Sequence, residues 1–458
     1  MKLDTVENVY FLGIGGIGMS AIARYFHAHG KHVMGYDRTA TPLTTELQLE
    51  GIPVHFDDLV AEIPQLIKSS PLEKTLVVYT PAVPKDSVEL HWFQSNGFTI
   101  KKRSEVLGMI TENTRTIAIG GTHGKTTTSS LVAHLLKHSG KGCNAFLGGI
   151  TSNYDTNLLL DRNAEWTVVE ADEFDRSFLT LTPEISAITS TDADHLDIYG
   201  SAEYVRESFH LFANRLKANG TLYCKARLPL QTEQLRSDIQ VVSYTIENTA
   251  DFRSRDVQVI NGAYQFTFQS PEAKWENWTL GLPGRHNVEN ATLAAAIALQ
   301  VGLSPEQIEA GLASFKGVKR RFETIIKRDD LVYIDDYAHH PTELSAAINS
   351  ARELYPGLPV TGVFQPHLFT RTRDFADDFA KSLELLDEII LLPIYPAREL
   401  PIEGIDSQML LDKISKSSKK LVEKGELLSV LKSHPPKVLL TLGAGDIDTL
   451  VDPLKQAL

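Results

Sequence analysis

The residues most able to do chemistry lie in Thr116-Ile-Ala-Ile-Gly-Gly-Thr-His-Gly-Lys-Thr-Thr-Thr128. This stretch passes from a short apolar run through a glycine-rich turn into a helix-compatible segment ending near His138. Such an order builds a phosphate cradle. Backbone N–H groups of the turn and helix start point at an anion that the helix dipole also favours. Gly121, Thr122, His123, Gly124 and Thr127 would line the cradle, Lys125 would reach the terminal phosphates, and the Thr126 hydroxyl would ligate Mg2+. The general motif has a glycine where Ile119 stands, so the loop is tighter and Gly120 is its first usable glycine. The reading is a nucleoside triphosphate site.

Further polar clusters follow apolar runs, as expected where ligands gather at the carboxyl ends of parallel strands. Gly13, Gly15 and Gly18 match a dinucleotide fingerprint, and Asp37 ends the next apolar run. That pattern fits any bound diphosphate, NAD or a UDP-sugar alike, with Asp37 meeting a ribose hydroxyl. Glu170 follows Trp166–Val169 in the position of an acid that helps hold Mg2+, and His195 closes Asp192-Ala-Asp-His. Together they could hold two ions, although imidazole is a poor ligand for so hard a cation. Asp172, Glu173 and Asp175 crowd the same loop, and some of them must be surface charges. His286 and Asn287 precede an alanine-rich helix for which Asn290 is a candidate cap. Asp335, Asp336 and Tyr337 follow a third-unit strand, and His339-His-Pro-Thr-Glu343 could be no more than a helix start. Arg371 and Arg373 would grip a carboxylate or phosphate, or pair with Asp374, Asp377 and Asp378.

Alternating strands and helices are needed to carry these clusters, and the pattern predicts an α/β chain with doubly wound parallel sheets. Of 458 residues, 42% are hydrophobic and 22% charged, enough for about three domains of a folded protein. The boundaries fall at 1–108, 109–314 and 315–458, with alternating, antiparallel texture from about Gly220 to Gly281. A net charge of −13 argues against a nucleic-acid partner. Two cysteines without metal-ligand spacing, an acidic N-terminal stretch and no apolar run of membrane-spanning length predict a soluble cytoplasmic protein.

Taken together, Gly13-Ile-Gly-Gly-Ile-Gly-Met19, Gly121-Thr-His-Gly-Lys-Thr-Thr127, Glu170-Ala-Asp-Glu173, Asp192-Ala-Asp-His-Leu-Asp197, Gly284-Arg-His-Asn287, Asp335 to Glu343 and Gln365-Pro-His367 with Thr370 to Arg373 resemble the Mur ligases over essentially the whole chain. The resemblance implies three domains: Rossmann-like N- and C-terminal domains around a P-loop ATPase-like centre. It implies ATP-dependent ligation of L-alanine to the lactyl carboxylate of UDP-N-acetylmuramate through an acyl phosphate. Implied for the sugar nucleotide are Gly13, Gly15, Gly16, Gly18, Met19, Asp37 and Thr80. ATP would take the cradle, with His286, Asn287 and Asn290 at adenine, Arg321 at the phosphates and Asp335 or His339 at the nucleotide. Thr126, Glu170 and His195 would hold Mg2+, as two ions, with Lys125 on the transferring phosphoryl group. Tyr337, His367 and Arg371 would take the amino acid.

Two features refine the resemblance. Leu368 stands where some members carry a second arginine, and no lysine occurs between Leu196 and Leu216, unlike branches that use a carbamylated one. Rivals are the same ligation with a recycled tripeptide and, more distantly, an NAD-dependent oxidoreductase. The expected partners are small molecules, with the chain a monomer or homodimer.

Overall fold

The computed structural model describes residues 3–112, 114–192, 199–397 and 399–458. It forms two compact units, Met1–Tyr244 with Ile297–Gln307, and Thr245–Ala296 with Ile308–Leu458.

The first unit opens with a parallel five-stranded sheet ordered Val54–His55, His32–Tyr36, Asn8–Leu12, Thr75–Tyr79, Thr99–Lys102. All five residues of Asn8–Leu12 are buried. Val9 and Phe11 join one apolar cluster and Tyr10 and Leu12 another, the signature of a strand covered on both faces. The inner strands are plain in the sequence. The two edges are not, because Val54–His55 has two residues and Thr99–Lys102 is only half-buried.

A second sheet in this unit runs Gln240–Ile246, Thr221–Lys225, Ile185–Ile188, Arg115–Gly120, Trp166–Glu170, Asn144–Thr151, Thr156–Leu159. Every pairing in it is parallel except the last. Thr221–Lys225 and Gln240–Ile246 therefore correct the antiparallel expectation from Gly220 onward. Alternation reports one-sided burial, which the flank of a parallel sheet shares with an antiparallel one.

In the second unit the antiparallel reading holds. Phe252–Ile260, Ala263–Gln269 and Lys274–Leu280 form successive antiparallel pairs. Tyr264, Phe266 and Phe268 are buried on one face, and Phe268 stacks on Trp278 with ring centroids 4.8 Å apart. The remaining sheet runs Glu323–Lys327, Val332–Asp336, Val438–Leu442, Val360–Phe364, Glu388–Leu391, Lys419–Leu421, parallel throughout except its first pair. Asp335 and Asp336 are the last residues of their strand rather than a loop after it. Among the described residues no helix is long and apolar enough to cross a membrane.

Candidate active site

The turn expected to cradle phosphate lies where Arg115–Gly120 leads into the helix Lys125–His138. Gly121 and Gly124 have φ of +129° and +81°, values that favour glycine. A methyl group on Gly121 would lie 2.1 Å from Thr189 Oγ1, so the turn is pressed against the next strand's exit. That exit braces the loop. Ser190 Oγ accepts the His123 N–H at 2.9 Å and meets the Thr122 hydroxyl, while Thr122 Oγ1 accepts the Asp192 N–H at 3.1 Å. His195 lies just beyond, outside the described residues.

Lys125 Nζ donates to the Gly121 carbonyl at 2.7 Å and to Glu173 Oε1 at 2.9 Å. Burial pulls this ammonium's pKa down, but Glu173 and Glu170 beside it more than offset that, and the net shift is upward. Glu173 itself is 2% exposed. The surface role open to it by sequence does not hold, and its spacing alone gave no sign of the pairing.

Arg115–Gly120 and Trp166–Glu170 are adjacent and parallel, with Ile119 beside Glu170. This register brings the Thr126 hydroxyl to 3.0 Å from Glu170 Oε1. Glu170 Oε2 accepts the Gly148 N–H at 3.0 Å, and a methyl on Gly148 would fall 2.4 Å from either carboxylate oxygen. A hydroxyl and a carboxylate, both hard oxygen donors, face one point beside the cradle and suit Mg2+. Among the described residues no group of three His, Cys, Asp or Glu side chains is arranged to hold a metal.

In the N-terminal sheet, Gly13 has φ +83° and its position leaves only 2.7 Å between an added methyl and Thr80 Cγ2. Asp37 Oδ2 accepts the Gly15 N–H at 2.7 Å and Oδ1 accepts the Thr39 N–H at 3.0 Å, so this carboxylate holds its own loops. Gly16 caps the helix Ile17–Ala28, and Met19 is buried in its first turns. Arg103, which no motif singles out, lies against Gly18 and reaches Asp172 Oδ2 at 3.5 Å.

In the second unit, several predicted residues meet at strand ends. The Tyr337 ring lies under the guanidinium groups of Arg320, 5.1 Å away, and Arg321, 4.9 Å away. His339 Nδ1 is 3.3 Å from Glu343 Oε2, which Arg321 approaches from the other oxygen at 4.0 Å. The His339 and His367 rings are 6.2 Å apart, and Arg371 Nη1 is 3.3 Å from His367 Nδ1. Arg371 is buried whereas Arg373 is exposed and paired with Asp374, which separates the two arginines. Leu368 has φ +70°, an uncommon conformation for a side-chain-bearing residue, at the start of Phe369–Asp374. Asp335 accepts from Thr441 Oγ1 at 2.6 Å and from Arg320 Nε at 3.3 Å, and burial raises its pKa. Burial pushes Asp336 up to about 7 although it accepts the Phe322 and Ala338 N–H groups.

His286, Asn287 and Asn290 belong to the helix Arg285–Gln300, so Asn290 lies in its second turn and is not a cap. The helix starts early because Gly284, φ +111°, ends the preceding loop, where a methyl would strike His286. Asn287 donates to the Pro283 carbonyl at 2.6 Å, and Asn290 to Asn287 Oδ1 at 3.2 Å. His286 lines an open cleft with Glu289, Asn349, Ser350 and Glu353. Burial drives its imidazole pKa down to about 4, so it is neutral at pH 7.

A braced glycine-rich turn beside a hydroxyl–carboxylate pair, on a chain with parallel α/β sheets at both ends, fits a nucleotide-dependent ligase of the Mur class. The chain belongs to the Mur ligase family. Residues 8–115 match the Mur ligase family catalytic domain, 119–298 the Mur ligase middle domain and 320–445 the Mur ligase glutamate ligase domain. It is 51% identical to the UDP-N-acetylmuramate–L-alanine ligase of Parabacteroides distasonis over 458 residues, covering 100% of this chain and 98% of that protein. With the enzyme of the same name from Porphyromonas gingivalis the figures are 52% over 455 residues and 99% of each chain. The crystal structure of UDP-N-acetylmuramate–alanine ligase from Thermotoga maritima superposes with a TM-score of 0.81 at 28% identity, covering 98% of both chains. A murein peptide ligase from Psychrobacter arcticus shares the fold, with a TM-score of 0.71 at 22% identity over 98% of both chains.

Proposed function

We propose that this chain joins L-alanine to the lactyl carboxylate of UDP-N-acetylmuramate at the expense of ATP, releasing ADP and phosphate. The observation that carries the chemistry is the meeting of Lys125, Thr126 and Glu170 at two adjacent strand ends. Full-length likeness to relatives named for this reaction supports the choice of substrates.

A carboxylate does not react with an amine at neutral pH until one of its oxygens becomes part of a leaving group. The cradle N–H groups and Lys125 would hold the β- and γ-phosphates and offset charge as the γ-phosphoryl group passes to the lactyl oxygen. Thr126 and Glu170 would hold Mg2+, with His195 a candidate for a second ion; bound there, it neutralises phosphate charge. The alanine nitrogen then attacks the acyl carbon, and phosphate departs carrying the former carboxylate oxygen. No side-chain nucleophile is needed, because placement of the reactants supplies the rate.

Gly13, Gly15, Gly16, Gly18, Met19 and Thr80 would seat the sugar nucleotide, on a loop that Asp37 fixes by accepting the Gly15 N–H. Neutral His286 would face adenine from its cleft, with Asn287 and Asn290 holding the helix start behind it. Arg321 and His339 would approach the nucleotide, with Asp335 fixing Arg320 next to them. Arg371, set by His367, would take the alanine carboxylate, and the Tyr337 ring would bound the small side chain.

Phosphate release measured with ATP and UDP-N-acetylmuramate, offering L-alanine, glycine, L-serine and tripeptide in turn, tests the proposal. Release should require the sugar nucleotide and be fastest with L-alanine. Release indifferent to both the sugar nucleotide and the amine would refute it.

A further inference from the structure

The sugar-nucleotide loop raises a charge problem. Its proposed ligand carries a diphosphate and a carboxylate, yet the charged side chain fixed to the loop backbone is the acid Asp37. A cation meets the helix start that follows this loop: Arg103, the first residue of the helix Arg103–Glu112, which follows the edge strand Thr99–Lys102.

Two contacts place Arg103. A methyl built on Gly18 would lie 3.0 Å from Arg103 Nη1 and 3.2 Å from its Cδ, so the last glycine of the fingerprint clears room for this side chain. On the other side, Arg103 Nη2 lies 3.5 Å from Asp172 Oδ2, two residues beyond Glu170. That separation is at the outer limit of a hydrogen bond, and both side chains are partly open to solvent, so the pair itself adds little stability. A guanidinium presents five N–H donors in a planar fork matched to phosphate or carboxylate oxygens. Held loosely between the sugar-nucleotide loop and the acidic loop, it has donors to spare for an anion.

Resting on the sugar-nucleotide reading above, the geometry points to Arg103 as a further binding residue for that substrate, gripping one of its anionic groups. The third glycine of the fingerprint then has a specific task, since any side chain at Gly18 would push this guanidinium aside. Either the diphosphate or the lactyl carboxylate offers the oxygen pair that the fork fits.

Calorimetric titration without ATP or Mg2+ separates the possibilities, using UDP-N-acetylmuramate and, lacking the lactyl group, UDP-N-acetylglucosamine. Arg103→Gln should bind UDP-N-acetylmuramate about tenfold or more weakly, the effect of losing charged hydrogen bonds. Arg103→Lys should recover part of that loss, and Asp172→Asn should bind no more weakly than the unaltered chain. An equal loss for both sugar nucleotides assigns the diphosphate, and a loss confined to the muramate assigns the carboxylate. Arg103→Gln binding within about twofold of the unaltered chain would overturn the assignment. So would equal weakening by Arg103→Gln and Asp172→Asn, which would reduce the arginine to a structural tie. If the unaltered chain binds neither sugar nucleotide, the proposed function fails and this assignment goes with it.

Discussion

Buried Glu173 and half-buried Lys125 form an ion pair in the proposed phosphate cradle, with Nζ 2.9 Å from Oε1 and 2.8 Å from Oε2. The lysine that would stabilise a transferring phosphoryl group therefore has an anionic partner before any phosphate arrives. Removing one member of such a pair leaves the other desolvated and poorly compensated. Glu173→Gln is expected to lower unfolding free energy by about 3 kcal/mol, and Lys125→Met by at least as much, since Glu173 is the more deeply buried. Urea unfolding monitored by tryptophan fluorescence checks this, and losses below about 0.5 kcal/mol in both variants would contradict it. Lys125→Met should also abolish phosphate release while UDP-N-acetylmuramate still binds.

Glu170 is held by Thr126 and the Gly148 N–H, and there is no room for a side chain at Gly148. Glu170→Gln should lower kcat by about two orders of magnitude or more and raise the Mg2+ concentration needed for half-maximal rate. Gly148→Ala should do the same more mildly by displacing the carboxylate. A Gly148→Ala enzyme with unchanged Mg2+ dependence would show that the placement of Glu170 is not what matters.

Arg371 predicts a KM effect confined to one substrate. Arg371→Ala should raise the KM for L-alanine about a hundredfold, with the KM for ATP nearly unchanged, and lysine should rescue poorly because it lacks the planar fork. Steady-state kinetics with each substrate varied in turn reads the split. Equal changes in all three KM values would point to general disruption of the helix Phe369–Asp374.

Away from these sites, Glu89 gives the stability a pH dependence. It is fully buried, accepts from the Tyr10 hydroxyl at 2.7 Å and lies 3.4 Å from His55 Nε2, with Asp58 and Glu62 adding negative field. Burial pushes its pKa up to about 8. In the unfolded chain the carboxyl ionises near pH 4.5, so between there and about pH 8 the folded form holds a proton that the unfolded form has lost. This contribution to stability is complete below pH 4.5 and falls by roughly 1.4 kcal/mol per pH unit until about pH 8. Glu89→Gln should remove that decline, leaving the variant relatively more stable at pH 8.5 than at pH 5. Melting curves across that range check it, and parallel pH profiles for the two proteins would contradict it.

Residues whose role is set by local geometry were the legible ones. The tight turns proposed to hold phosphate need positive φ, and Gly13, Gly121 and Gly124 announce it. Apolar runs ending in Glu170 and Asp336 announce strand ends, and the parallel register then fixes what stands beside them. Partnerships across the fold leave no periodic trace. The burial of Glu173 against Lys125, the approach of Arg103 to Gly18, and Gln365 bracing Asp446 and the Ile447 N–H all arise between elements distant in sequence. Asn290 misleads because an asparagine near a helix start reads the same as cap or interior until Gly284 shows where the loop ends. Likewise, alternation around Thr221–Lys225 could not distinguish the flank of a parallel sheet from a hairpin.

The central claim is that a lactyl carboxylate oxygen leaves as part of phosphate. UDP-N-acetylmuramate carrying 18O in that carboxylate, turned over with ATP and L-alanine, tests it directly by mass spectrometry of the released phosphate. The account predicts one 18O atom in each phosphate and one retained in the new amide. Amide formation with unlabelled phosphate would contradict it.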